Sequence, residues 1–378
     1  MPLAAPILLV ALGYAGFVAW LTWRVARPAG PTAGPADHAL PHVAVVVAAR
    51  DEEAHLPRCL DALGAQDYPA DRIRVWVADD HSRDGTAGVV QAAATRGRVH
   101  YVRVPDPVGP LRGKAQAIHT ALEAIAETAP ETAVVLITDA DCAPVPTWAR
   151  RSAARFLDGE AGLVCGVARI ECRPGRAFDR VQALDWLFML GAASALAEAG
   201  HTATGMGNNM AIRRAAYQAL GGYPALPFSV TEDFTLVRAV AERTRWRVRF
   251  PLDPDATVWT HPVEGLRSAY LQRQRWARGG LAGGAWVVGT YALLHLVHLL
   301  PLVGLVVAPG AAALALALKV SADVAFLTAV VRSCGEPQPF RAVARDALVF
   351  EAFLFTYMVT LPWALLLRPR IEWKGRHH

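Results

Sequence analysis

Between Pro2 and Trp23 the chain carries no charged residue. A run of about 20 apolar residues crosses a hydrocarbon core of roughly 30 Å as a helix, so one end of this chain is suited to a bilayer. Arg24 and Arg27 follow the run. A cleaved secretory signal carries its positive charge ahead of the apolar stretch. Charge placed after it predicts a retained anchor with its N-terminus outside and the following chain in the cytoplasm.

Two more apolar regions lie at 281–331, broken at Pro309-Gly310, and at 347–367. The first has the length of two spans and the second of one. The expectation is therefore a multi-pass protein of the plasma membrane with a cytoplasmic central domain and two to three C-terminal helices. Four crossings in all would leave the basic tail from Arg368 to Arg376 outside, against the positive-inside tendency. An interfacial or re-entrant C-terminal segment would resolve this, and Lys319, Asp323 and Pro362 mark the candidate places.

Five cysteines, Cys59, Cys142, Cys165, Cys172 and Cys334, form no CxxC pair and no zinc-like spacing. They read as reduced, mostly packing thiols. The net charge of +5 comes largely from arginines, many of which flank the apolar segments. Affinity for anionic headgroups accounts for that balance more simply than nucleic acid, which is not expected as a partner.

Residues 28–41 are rich in Pro, Gly and Ala and read as a linker. The pattern then changes to short β-branched runs at 42–48, 73–78 and 133–137. Helical periodicity fills 53–66, 84–95 and 114–127. Strands alternating with helices predict an α/β domain with a mainly parallel, Rossmann-like sheet covered on both faces.

The acidic residues gain meaning from this plan. Asp51 follows the first strand, Asp79-Asp80 the second, and Asp139-Ala140-Asp141 a later one. All three sets fall at carboxyl ends of strands, where open α/β sheets bind ligands. Clustered acids repel one another unless a cation or hydrogen-bond donors compensate them, so the arrangement predicts a metal and a nucleotide.

Each motif also has a plainer reading. Asp139 and Asp141 can turn toward one Mn²⁺ or Mg²⁺, which prefer hard oxygen ligands, or they can close the strand in an Asx turn. Asp79-Asp80-His81-Ser82-Arg83-Asp84-Gly85-Thr86 can meet a nucleoside, or form a solvated loop with a helix cap at Ser82 or Asp84. Gly113-Lys114 can present N–H groups and an ammonium to phosphate, although its glycine spacing is not that of a P-loop; a plain helix start is the simpler reading. Ser229-Val230-Thr231-Glu232 fits a capping box with Ser229 as N-cap. That leaves Asp233 in the first helical turn, free to act as a carboxylate base toward an acceptor hydroxyl.

Gln272, Arg273, Arg275, Trp276 and Arg278 precede the second apolar region. Arginine and tryptophan gather at membrane interfaces for general reasons. The functional alternative has Gln272, Arg275 and Trp276 lining an acceptor entrance, with arginine stabilising a leaving diphosphate. His295 and His298 lie on one face of a predicted span and read as packed or interfacial residues.

These blocks together resemble the membrane-attached enzymes of glycosyltransferase family 2, over about residues 43–280. VVVAARDEE and VADDHSRDGT look like the family's two nucleotide-binding segments, and TDADC like its metal-binding DxD. TGMGNNMAIRR with Gly221-Gly222-Tyr223 is similar to its acceptor-side segment. VTEDFTL with QRQRWARGG matches its catalytic pair.

The resemblance implies a GT-A fold and inverting transfer from a UDP-sugar. Asp233 would be the base, and Asp139 and Asp141 would hold Mn²⁺ or Mg²⁺. Asp51 and Asp80 would contact uracil and ribose, with Lys114 and Asp139 also on the sugar nucleotide. Glu232, Gln272, Arg275 and Trp276 would sit near the acceptor and the diphosphate. His81 and Arg83 stand where family members commonly carry smaller residues.

The implied division is an anchor at 1–27, a linker at 28–41, a catalytic domain at 42–260, an interfacial segment at 261–282 and a membrane region at 283–378. So short a membrane half resembles enzymes that glycosylate a membrane lipid more than processive polysaccharide synthases. An inactive scaffold or transport subunit is the alternative from another class, and the intact acidic motifs speak against it.

Overall fold

The computed structural model describes residues 3–27, 34–95, 97–107, 109–281, 285–335, 340–367, 372–373 and 376–377. Most of the linker's first half and most of the basic tail lie outside these residues. The elements run α1 (Ala4–Val25), β1 (Val43–Ala49), α2 (Leu56–Gly64), β2 (Ile73–Asp79), α3 (Thr86–Ala94), β3 (Val99–Arg103) and α4 (Gly113–Thr128). Then come β4 (Val134–Asp139), β5 (Ala143–Pro144), α5 (Trp148–Ala154), β6 (Ala161–Cys165), β7 (Ala168–Ile170), α6 (Ala177–Ala197) and β8 (Asn209–Arg213). The chain continues through α7 (Arg214–Ala219), α8 (Glu232–Arg243), β9 (Arg247–Arg249), β10 (Val258–Thr260), α9 (Gly265–Leu281), α10 (Ala285–Val307), α11 (Pro309–Ser333) and α12 (Phe340–Leu367).

These elements form two compact units. The α/β unit comprises Ala29–Glu171 and Ala197–His261; the helical unit comprises Met1–Pro28, Cys172–Leu196 and Pro262–His378. Residues 172–196, which fall inside the expected catalytic interval, therefore group with the helices.

In the α/β unit a seven-stranded sheet has the order β3-β2-β1-β4-β8-β6-β9. β1, β2 and β4 are parallel, as their sequence pattern predicts, β3 pairs in parallel with β2 without having been read from the sequence, and β8 runs antiparallel to both β4 and β6. β1 reads Val-Ala-Val-Val-Val-Ala-Ala because it is central and covered on both faces, which removes the polar half of a strand's usual alternation. α2 buries Leu56, Cys59 and Leu63, one helical face, in the core that also holds Val45, Val47, Val75, Val77, Leu136 and Trp148. A three-stranded ribbon, β5-β10-β7, adjoins this sheet in the same unit. Asn209, at the start of β8, joins the parts: it accepts from Trp148 Nε1 at 2.8 Å and donates to Val167 O and Ala256 O at 2.7 and 2.9 Å.

In the helical unit, three described helices are long and apolar enough to cross a membrane: Ala4–Val25, Val288–Val307 and Pro309–Ser333. The predicted break at Pro309-Gly310 is where α10 gives way to α11, Pro309 taking the first-turn position that needs no N–H partner. Lys319 and Asp323 do not interrupt α11, contrary to their reading as marks of a re-entrant segment. Both are buried and paired instead: Lys319 Nζ lies 3.0 Å from Asp323 Oδ2 and also meets Glu351 of α12, and Tyr14 of α1 donates to Asp323 Oδ1 at 2.7 Å. Pro362 likewise lies within α12 rather than at its end. Cys59, Cys142, Cys165 and Cys334 are buried and Cys172 is exposed.

Candidate active site

The strand register brings the predicted acids level with one another. Ala49 of β1 is opposite Asp79 of β2, and Ala48 is opposite Asp139 of β4. The loops beyond these ends are held together by their own polar groups. Asp51, with φ of 52°, accepts from Arg83 N at 2.7 Å, and its N–H donates to Ser82 Oγ at 3.0 Å. Buried Asp79 accepts from Ser82 N at 2.9 Å and Tyr101 OH at 3.0 Å. Asp80 is also buried; Arg50 Nη1 donates to its carbonyl at 3.2 Å and stands 3.9 Å from its carboxylate. His81 bridges Asp80 and Asp106, with each ring nitrogen 3.0 Å from a carboxylate oxygen. Asp84 takes the N–H and hydroxyl of Thr86, but the N-cap of α3 is Gly85, with no side-chain cap bond, which corrects the expectation of a cap at Ser82 or Asp84.

A second group of charges lies around Lys114, the second residue of α4. Its ammonium contacts the Asp139 carboxylate, lies 3.7 Å from Glu232 Oε1 and donates to Gly207 O at 3.0 Å. The expectation of a plain helix start at Gly113-Lys114 is thus incomplete, because the helix aims this side chain at the acids. Burial alone would lower the ammonium pKa, but Asp139 and Glu232 outweigh it and hold it above its usual value. Glu232 is pushed up to about 7, first by burial and further by Asp233 and Asp139, against the opposing pull of Lys114.

Asp233, in the first turn of α8, accepts from Gly207 N at 2.8 Å through Oδ2 and from Phe234 N at 2.8 Å through Oδ1. The close approach depends on glycine: a Cβ on Gly205 would lie 2.6 Å from Phe234 N and 2.7 Å from Asp233 C. The capping-box expectation is corrected here. The N-cap is Thr231, with no side-chain cap bond, and Ser229 Oγ instead accepts from Thr231 N at 3.1 Å. Glu232 faces Lys114, which places it with the charged group rather than with the helix end. A small pocket beside it is lined by Leu111, Tyr223, Leu226 and Phe228.

The α/β unit therefore contains Asp51, Asp80, Lys114, Asp139, Asp141, Glu232 and Asp233, and joins Asp139, Lys114 and Glu232 directly. Asp141 accepts from Cys142 Sγ at 3.4 Å. Among the described residues no three His, Cys, Asp or Glu side chains form a metal-holding group by themselves. Gln272, Arg275 and Trp276 lie on α9 of the helical unit. The main-chain grip of Gly207 on Asp233 and the role of Arg50 escaped the sequence reading. The only trace of the first was the pair of glycines in TGMGNNM, and the second had none.

The mixed sheet, its acidic carboxyl edge and the placement of α8 define a GT-A nucleotide-sugar fold. Residues 41–279 match the model of the "Glycosyltransferase like family 2" family, and the chain belongs to glycosyltransferase family 2. A probable glycosyltransferase of Bacillus subtilis (strain 168), YdaM, is 28% identical over 251 residues, 64% of this chain and 55% of that protein. A beta-monoglucosyldiacylglycerol synthase of Synechocystis sp. is 29% identical over 254 residues, 64% of this chain and 48% of that protein. This chain thus spans about half the length of these curated relatives. Among solved structures, the mannosyltransferase PcManGT of Pyrobaculum calidifontis, in complex with GDP-Man and Mn²⁺, matches with a TM-score of 0.59 at 24% identity, over 96% of this chain and 98% of that one.

Proposed function

We propose that this chain is a membrane-bound inverting glycosyltransferase that moves a hexose from a UDP-sugar to a hydroxyl group of a membrane lipid. The observation that carries this reading is the charged group at the carboxyl edge of the sheet, Asp139–Lys114–Glu232, with Asp233 fixed beside it by Gly207. Each carboxylate oxygen of Asp233 has two lone pairs, so one N–H bond to each leaves capacity for an acceptor hydroxyl. Asp233 takes the hydroxyl proton as that oxygen bonds to the anomeric carbon. The bond to the diphosphate breaks on the opposite face, which inverts the centre.

The leaving diphosphate gains negative charge, and Lys114 and Arg275 are the cations assigned to it. Asp139 and Asp141 supply the hard oxygen ligands that Mn²⁺ or Mg²⁺ prefers, and the pull of Asp139 on Lys114 shows how strongly this spot favours positive charge. A cation held there would offset charge on the diphosphate oxygens. Asp51 and Asp80 are assigned to the nucleoside, Glu232 to the acceptor side.

A lipid acceptor is supported by the relative named for monoglucosyldiacylglycerol synthesis and by the exposed apolar side chains of the candidate spans, Leu9, Leu12, Val306 and Leu314 among them. We place α1, α10 and α11 in the plasma membrane and residues 42–260, α6 apart, as a cytoplasmic catalytic domain behind the 28–41 linker. The test is an assay of membranes containing the chain with UDP- and GDP-sugars, Mn²⁺ or Mg²⁺ and a lipid extract, followed by mass spectrometry of the organic phase. A lipid heavier by one hexose, absent with Asp233→Asn, is the expected result. Sugar accumulating in a large water-soluble polymer would favour a processive synthase, and no product from any donor would favour an inactive scaffold.

A further inference from the structure

α6 is the longest helix that interrupts the α/β sequence, and it groups with the helical unit. Its polar side chains meet partners along its length. Asp179 accepts from Arg173 Nε at 2.7 Å, and Arg180 Nε donates to Asp346 of α12 at 3.0 Å. Gln182 exchanges two hydrogen bonds with the main chain of Val263, just ahead of α9, at 3.2 and 3.0 Å. One turn further on, Asp185 forms an ion pair with Arg273 of α9, and the adjacent Trp186 packs edge-on against Trp276 with ring centroids 5.1 Å apart. Beyond these, Phe188 packs on Phe326 and Phe350, at 5.1 and 5.8 Å.

The Asp185–Arg273 pair is nearly closed to solvent, with side-chain exposures of 11% and 13%. Aromatic rings surround the guanidinium: Trp276, Phe353 and Tyr357 lie 5.8, 5.8 and 5.3 Å from it, and Tyr357 OH donates to Arg273 O at 3.2 Å. A charge removed from water in this way is tolerated because its counter-charge is in place. Arg273 and Trp276 are three residues apart and share a face of α9. Holding that face fixes the roll of the helix, and successive residues project about 100° apart at 3.6 residues per turn, so the directions of Gln272 and Arg275 follow from it.

We infer that Asp185, acting through Arg273, is a positioning residue for the Gln272–Arg275–Trp276 segment, and that α6 is the mount on which this segment is set. The inference rests on the proposal that Gln272, Arg275 and Trp276 serve the transfer reaction. Asp185 touches neither substrate nor reacting atoms in this account. Its replacement should impair the steps assigned to α9 and leave untouched those assigned to the nucleotide edge of the sheet.

The test uses the full chain in lipid nanodiscs with Asp185→Asn, Asp185→Glu, Arg273→Gln, the Asp185→Asn/Arg273→Gln double variant, and Arg275→Ala as a check on the underlying reading. For Asp185→Asn, kcat/KM for the acceptor should fall about ten- to a hundred-fold, the range in which small misplacements of reacting groups are felt, with KM for the donor unchanged. Asp185→Glu, which restores the charge, should recover much of the loss. The double variant should be no worse than the poorer single one, since both remove the same interaction. Wild-type acceptor kinetics for Asp185→Asn beside an inactive Arg275→Ala would overturn the inference and spare the reading it rests on. Wild-type turnover for Arg275→Ala would overturn both. Loss of folded protein in step with activity, with donor and acceptor parameters falling together and no rescue by glutamate, would reduce Asp185 to a packing residue and also overturn the inference.

Discussion

Asp233 is held at two points by main-chain N–H groups, so the precision of the proposed base depends on how closely residues 205–207 can approach α8. Gly205→Ala places a methyl group 2.6 Å from Phe234 N, a backbone atom that cannot swing aside. We expect at least a hundred-fold loss in kcat, the order associated with misplacing a reacting group by about 1 Å, with KM for the donor little changed. Steady-state kinetics on purified protein checks this, and a variant within threefold of wild type would show that Asp233 need not be held so tightly. Glu232 supplies a pH dependence whose sign follows from its burial. Its folded-state pKa of about 7 lies above the ordinary 4.5, so its ionisation opposes folding. Stability from this group is complete below about pH 4.5 and is lost as pH rises through about 7. Glu232→Gln should therefore flatten the decline of the thermal midpoint over that window, and an unchanged slope would assign the decline to other groups.

At the scale of elements, the hub at the start of β8 shows what a single amide can support. Asn209→Ala would leave the Trp148 indole N–H and the carbonyl of Ala256 without their partner, each buried polar group costing about 1–3 kcal/mol, while Val167 O keeps the N–H of Val258 at 2.9 Å. We expect a loss of roughly 3 kcal/mol in the α/β unit by that reckoning, read as a shift in its denaturation midpoint; a loss below about 1 kcal/mol would mean that water replaces the amide. Nothing in the sequence distinguishes Asn209 from Asn208, because the selection is made by contacts more than 40 residues away. The parallel strands were legible for the opposite reason: β1, β2 and β4 are buried along almost their whole length, so each is a short, mainly apolar run with an acid at its end or two residues past it. The direction of β8 was not, since Asn-Met-Ala-Ile-Arg reads the same for either pairing. The acids of the candidate site were visible at strand ends, whereas Lys114's partners, Glu232 and Gly207, lie about 100 residues further along the chain. α11 was readable as an apolar stretch, but Lys319 and Asp323 looked like an interruption because their compensation by Tyr14 and Glu351 comes from other helices.

The division of the whole molecule follows from where α6 buries its surface, not from where it stands in the sequence. It lies between β7 and β8, two strands of the α/β unit, yet its inner face packs on helices of the other unit. At Gly191 there is no room for a side chain, since an added Cβ would overlap Val330 of α11 and stand 2.9 Å from Phe326 Cζ. Leu190, Ala193 and Ala195 of the same helix are buried as well. A fragment covering 29–261 keeps every strand of the sheet but strips these residues of α11 and α12, and the freed apolar face becomes a site for self-association. Such a fragment should elute as large aggregates in size-exclusion chromatography. Replacing 172–196 by a flexible Gly/Ser linker removes that face without deleting a strand, because such a chain imposes little geometry of its own. The spliced fragment should elute as a monomer with a cooperative melting transition. If the unspliced fragment were equally monomeric, α6 would be stable on the α/β unit alone, and its role as the mount of α9 would lose its structural basis.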